Sequence, residues 1–239
     1  MDLDTAIRRA QIYSFLADVF LYPVENWVDD VPLLLDILSA LGYSAVDTRN
    51  DGFGAWDLPA LQAEHRRAFG LAGSLCYETE FGLPHEFRQS QELADIAGFY
   101  RAFGFTVGGP VRERPDHLAV ELEFMHLLAL KEAYALENGV AEHVEICRDA
   151  QGKFLTEHLG QWIGALAQSL SRSASRGPYC DLARIAAAFV LADAEHLGVK
   201  PEARPLDRAG PTPLGPEIAC DGCAVAERLG DGLYSGARL

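Results

Sequence analysis

Apolar residues in this chain recur with the period of an α-helix and almost nowhere with that of a strand. Leu34, Ile37, Leu38 and Leu41 repeat at i, i+3, i+4 and i+7, with Asp29 and Asp30 as N-cap candidates and Gly42 as a stop. Residues 57–69 read as a helix capped by Asp57 and ended by Gly70. Leu93, Ile96, Ala97 and Tyr100 make a further stripe closed by Gly104, and a long helix runs over 115–137 to Asn138-Gly139. Residues 140–171, with a break expected near Gly152, and residues 179–197 complete the set, separated by Gly177-Pro178. No Asn-Gly hairpin sits between β-branched runs. The pattern predicts an all-α protein, with one helical-bundle domain over 1–199. Composition shifts to Pro, Gly and charge from Lys200, so 200–239 is expected to be a mobile tail carrying Cys220-Asp-Gly-Cys223.

The chain has 239 residues, enough for one substantial core, and a formal net charge of −15 from 35 acidic and 20 basic residues. An anionic surface of this kind repels nucleic acid and anionic lipid and attracts cationic peptides. No segment reaches the ~18 unbroken apolar residues of a membrane helix, so membrane insertion is not expected. Arg8-Arg9 ahead of 12–22 imitates a twin-arginine export signal. Asp18 interrupts that apolar run, however, and Pro23-Val-Glu25 stands where small residues should precede cleavage. Ile12, Leu16, Val19 and Phe20 share one helical face, which reads as an amphipathic first helix of a cytoplasmic protein. Five scattered cysteines, an odd number, argue for reduced thiols.

Glu113-Arg-Pro-Asp-His117 runs straight into a strongly apolar helix. Pro115 suits a first turn, and Asp116 is expected to cap it. Glu113, Asp116 and His117 can accept hydrogen bonds from guanidinium or backbone N–H groups, while nothing nearby supplies a nucleophile. The plainer alternative is a helix cap with surface charges. If the set serves recognition, Asp116→Ala with His117→Ala weakens binding and leaves the thermal midpoint nearly unchanged.

Tyr77, Glu78, Glu80 and Phe81 interleave aromatics with carboxylates, continuing to Phe87. They read either as a loop pinned to the core or as a groove wall for an apolar peptide with a positive end. Glu121, Glu123 and His126 offer the alternative of a metal-dependent helical enzyme. Their Glu-x-x-His spacing, however, is not repeated on a second helix as a di-metal bundle requires. Cys220 and Cys223 are half a zinc set, weak metal candidates without a second pair. No phosphate loop, dinucleotide fingerprint or nucleophile elbow occurs, and no cofactor is expected.

Three segments together resemble the TorD/DmsD/NarJ group of redox-enzyme maturation chaperones. Glu113-Arg-Pro-Asp-His-Leu118 with Glu121-Leu-Glu-Phe-Met125 looks like its Glu-Pro-x-Asp-His signature, the proline moved by one place. Tyr77-Glu-Thr-Glu-Phe-Gly82, with Phe87-Arg-Gln and Glu92-Leu-Ala-Asp-Ile-Ala-Gly-Phe-Tyr100, resembles the branch serving type II periplasmic molybdenum enzymes. Phe154-Leu-Thr-Glu-His-Leu-Gly-Gln-Trp162 and Tyr179-Cys-Asp-Leu-Ala183 are similar to its paired late helices. The resemblance implies a non-enzymatic, cytoplasmic, TorD-like helical chaperone, monomeric or homodimeric. Its partner would be the precursor of a molybdopterin-containing catalytic subunit together with its twin-arginine leader. It would support molybdenum cofactor insertion and delay export. The family's binding residues map onto Glu113, Asp116 and His117, with Pro115 displaced. To these the chemistry adds Tyr77, Glu78, Glu80, Phe81 and Glu121.

Overall fold

The computed structural model describes residues 2–43, 53, 56–70, 76–82, 88–108, 113–173 and 177–205. Cys220, Cys223, Phe87 and the expected tail beyond Pro205 lie outside the described residues. Those described form eight α-helices and no strand: α1 (Leu3–Val19), α2 (Val31–Leu41), α3 (Leu58–Phe69), α4 (Arg88–Ala102), α5 (Leu118–Glu137), α6 (Ala141–Glu157), α7 (Leu159–Ser173) and α8 (Pro178–His196).

Local chemistry sets most of the boundaries. Asp2 accepts from Thr5 N at 2.9 Å to cap α1, and Asp57 does the same for Ala60 N at 2.9 Å in α3. Gly42 ends α2 in the left-handed region at φ 69°. The face predicted for α1 is the buried one: Ile12, Leu16, Val19 and Phe20 all sit in the core. This helix packs most extensively on α5, while α7 packs on α8 and α5 on α6. Among the described residues no helix is long and apolar enough to cross a membrane.

Two expectations are corrected. The break within 140–171 falls at His158, with φ −129° and ψ −102°, and not at Gly152. Gly152 stays helical, and a Cβ there would meet Val199 Cγ1 at 3.2 Å, so the glycine serves close packing. Likewise α5 starts at Leu118, not Pro115. An isolated antiparallel bridge joins His117 to Tyr77, with Leu118 N donating to Cys76 O at 2.8 Å and Glu78 N to Asp116 O at 2.9 Å. That pairing holds His117 extended, at φ −76° and ψ 137°, so the helix starts only after it. Residues 200–205 continue along the body: Arg204 N donates to Gln161 O at 2.8 Å.

Arg9 lies at the centre of the bundle with no solvent exposure. Its Nη2 donates to Asp193 Oδ2 at 2.8 Å and Gln151 Oε1 at 2.6 Å, and its Nη1 to Glu132 Oε2 at 3.0 Å. Tyr13 and Tyr43 donate to the Asp193 carboxylate at 2.7 and 2.9 Å, and Arg148 Nε reaches Glu132 Oε1 at 2.7 Å. Burial opposes the charge on Arg9, but the contact with Asp193 outweighs it and pushes the guanidinium pKa up. Two arginines and two carboxylates thus close the network electrically. Removing one member leaves a buried charge unpaired, at a cost of about 3–5 kcal/mol. Arg8, paired with Asp4 at 2.7 Å on the surface, is worth about 1 kcal/mol or less. Urea unfolding of Arg9→Ala and Arg8→Ala should therefore separate the adjacent arginines by at least ~2 kcal/mol. Equal losses would mean the buried network is not the tie described.

Candidate functional site

The segment 76–82, which makes a short 3-10 turn at Glu78–Glu80, and the turn 113–117 meet through the bridge just described, and the side chains follow. Asp116 is wholly buried. It accepts from Thr79 Oγ1 at 2.8 Å and from Arg114 in a bidentate fork at 3.0 and 2.8 Å. Arg114 also stacks over the Tyr77 ring, 4.6 Å from its centroid. Tyr77 OH donates to Glu113 Oε2 at 3.0 Å, and Glu80 lies 4.0 Å from Arg114. Pro115 O accepts from Tyr100 OH at 2.7 Å.

His117, not Asp116, is the N-cap of α5: its Nδ1 accepts from Ala119 N at 3.1 Å, so any ring proton of the neutral form is on Nε2. Burial lowers its pKa, against the pull of Glu113 and Asp116. With Asp116 and His117 packed and hydrogen-bonded inside, their removal costs the fold as well. The expectation of a nearly unchanged midpoint is corrected on that ground.

Beneath this layer sits a buried acidic pair. Glu78 and Glu121 are both fully buried. Trp162 Nε1 donates to Glu121 Oε2 at 3.0 Å, while Glu121 Oε1 and Glu78 Oε2 have no N–H or ordinary O–H partner among the described residues. Desolvation first, and then Glu78, raise the pKa of Glu121 well above the carboxylate range. Burial works to raise Glu78 too, but its bond to His158 and the charge of Arg204 outweigh that and bring its pKa down. A single proton shared by the two carboxyls would give both of these oxygens a partner. Phe81 closes the region, buried against Trp162 at 5.4 Å.

Glu121, Glu123 and His126 do not converge. Two residues along a helix point about 200° apart, so Glu121 faces Trp162 inside while Glu123 is exposed. His126 Nδ1 bonds to Ala10 O at 2.8 Å. The three-residue metal cluster of the enzyme alternative is therefore absent, and helix phase is the reason.

What the fold does bring together is Glu113, Glu123 and His126 with Asp18 of α1. They line a cavity of about 310 Å³ with Ala17, Leu21, Val107 and Val120 on its apolar wall. Glu113 enters from the turn, Asp18 from α1 and Glu123 from α5. Partial burial raises the pKa of Asp18. Asp18 escaped the sequence reading as a site residue, although it is the lone charge in the apolar run 12–22. Asp116, Glu121, Glu78 and Phe81 lie behind this surface, and Tyr77 and Glu80 are half-buried beside it.

Comparison with known proteins gives one family and several relatives. Residues 29–168, more than half of the chain, match the family model described as nitrate reductase delta subunit. The chain is 31% identical over 105 residues to the perchlorate reductase assembly chaperone protein of Dechloromonas aromatica, covering 44% of this chain and 46% of the relative. It is 32% identical to the selenate reductase assembly chaperone protein of Thauera selenatis, over 48% of this chain and 60% of the relative. It is 30% identical to the chaperone protein TorD of Vibrio cholerae, over 44% and 46%. The chain thus spans about half the length of these curated relatives.

A carboxyl whose folded pKa is raised contributes stability that is fully present below its unfolded value and lost as pH rises through the folded value. Glu121 is such a group. Glu121→Gln keeps a donor toward Glu78 and an acceptor for Trp162 but cannot ionise. In scanning calorimetry, the midpoint of Glu121→Gln should fall less than that of the parent as pH rises above the ordinary carboxylate range. Parallel pH profiles would mean that Glu121 carries no proton in the fold.

Proposed function

This chain belongs to the nitrate reductase delta subunit family, and on that premise we propose that it is a cytoplasmic assembly chaperone for the catalytic subunit of an exported molybdoenzyme. It holds that subunit immature until the molybdenum cofactor is inserted, binds its twin-arginine leader and so delays export. It performs no bond chemistry of its own. The names of the matched relatives, assembly chaperones for perchlorate and selenate reductases, support the role.

The observation that carries the leader reading is the cavity rimmed by Asp18, Glu113 and Glu123. Its volume, about 310 Å³, is at the low end of ligand pockets and suits one or two side chains of a peptide. Arginine meets carboxylates with a planar fork that lysine lacks. The net charge of −15 adds long-range attraction for a cationic leader and mainly speeds encounter. Exposed ion pairs supply only ~0–1 kcal/mol each. Most affinity must then come from burying the leader's apolar segment, at about 25 cal/mol per Å². The acidic rim sets orientation and selects arginine.

Asp116, His117, Pro115, Tyr77, Glu78, Glu80, Phe81 and Glu121 act in this reading as the frame that presents Glu113 to the cavity. Calorimetric titration of the full chain with a twin-arginine leader peptide should give one site, weakened when both arginines become lysine. Asp18→Asn with Glu113→Gln and Glu123→Gln should weaken it roughly tenfold while the chain stays folded. No heat with either the leader or the full precursor, or undiminished affinity in the triple variant, would contradict the proposed site.

A further inference from the structure

His158 occupies the break between α6 and α7 and is only 2% exposed. Phe99 and Phe154 pack its ring at centroid distances of 5.3 and 5.1 Å. Its Nδ1 lies 3.2 Å from Glu78 Oε1, a carboxylate also held by Arg204. Placing the ring proton on Nδ1 satisfies that contact and turns the Nε2 lone pair the other way. Nε2 has no hydrogen-bond partner among the described residues. It faces Asp95 Oδ2 at 3.6 Å, too far for a hydrogen bond. Glu157 completes the group: one ligand atom from each of Asp95, Glu157 and His158 lies within 4.8 Å of the other two. Glu92, the other carboxylate nearby, is taken up by Arg88 and Arg204. An acceptor without a hydrogen-bond partner among the described residues therefore points at two exposed carboxylates; Lys153, the cation that Glu157 feels, is paired with Asp149 at 2.8 Å.

We propose that His158, Asp95 and Glu157 form a binding site for one divalent transition-metal ion of the zinc class, clipping α4 to the α6–α7 break. The spacing suits it. Ligand atoms about 2.0–2.2 Å from a tetrahedral zinc stand roughly 3.3 Å apart, and the two carboxylates are exposed and can rotate inward. Glu78 takes the outer position, fixing the tautomer and orientation of a ligating histidine. An imidazole with two carboxylates and no thiolate selects zinc, cobalt or nickel over copper(I) on one side and calcium or magnesium on the other. Three protein ligands leave a fourth position open to water or to a ligand from a bound polypeptide. The site is remote in sequence from the Glu123/His126 pair and from Cys220/Cys223, and it does not depend on the leader-binding reading.

The test uses the full chain carrying Cys220→Ser and Cys223→Ser, stripped with chelator and titrated with cobalt(II). One equivalent should produce visible d–d absorption without a thiolate charge-transfer band, zinc should displace it, and zinc should raise the thermal midpoint. Asp95→Asn with Glu157→Gln, both at exposed positions, should keep the metal-free midpoint and weaken zinc binding by at least roughly tenfold. If the double variant does not fold, Glu157→Gln alone must still weaken binding. An absent cobalt spectrum with no zinc-dependent shift overturns the proposal. So does zinc binding unchanged in the variants, or a metal signal confined to the chain that retains Cys220 and Cys223.

Discussion

Arg9 governs how this bundle goes together. A guanidinium with no exposure can exist in the core only if its donors are matched, and Asp193, Glu132 and Gln151 match them from α8, α5 and α6. One side chain of α1 thereby ties three other helices, and Tyr43 adds the end of α2. Hydrophobic burial supplies most of the driving force but is non-directional. The ion network is directional, and it makes one rotation of α1 against α5 the consistent one. That rotation puts Asp18 across from Glu123 and His126, so the acidic cavity depends on a charge cluster buried elsewhere in the same helix pair.

A second buried polar system sits about three turns nearer the start of α5. Trp162, Glu121, Glu78, His158 and Arg204 run from α7 through α5 and the 76–82 segment to the residues after α8. The bridge between Tyr77 and His117 sits on top of it. Glu113 therefore reaches the cavity from a turn whose backbone is paired, whose aspartate is buried and whose proline carbonyl is bonded. A rigid support of this kind limits the ordering cost that a peptide must overcome on binding.

The all-α class and most helix boundaries were legible in the sequence because they rest on local signals. The α1 face, the Asp57 cap and the Gly42 stop needed only spacing and capping chemistry. What escaped depends on contacts between distant residues. Gly152 looked like a break because a glycine in a helix is costly; the space it leaves is filled by Val199. The start of α5 is set by the bridge to Tyr77, forty residues away, which leaves no local signal. Arg9 looked like half of an export signal, since its partners are 123 and 184 residues away. Of the anticipated site residues, Glu113 stands at the cavity, whereas Asp116, Glu121, Glu78 and Phe81 are packed within. A motif in sequence shows which residue types are needed at a place, not which of them meet solvent.

The central claim is that an anionic helical body grips an immature molybdoenzyme subunit and thereby allows its cofactor to be loaded. Its most direct measurement is the molybdenum content of a co-encoded molybdoenzyme subunit, purified from cells with and without this chain. The account predicts a subunit low in molybdenum when the chain is missing. Loading should be restored by the parent chain and poorly by the variant altered at Asp18, Glu113 and Glu123. A fully loaded subunit in cells that lack the chain would contradict it.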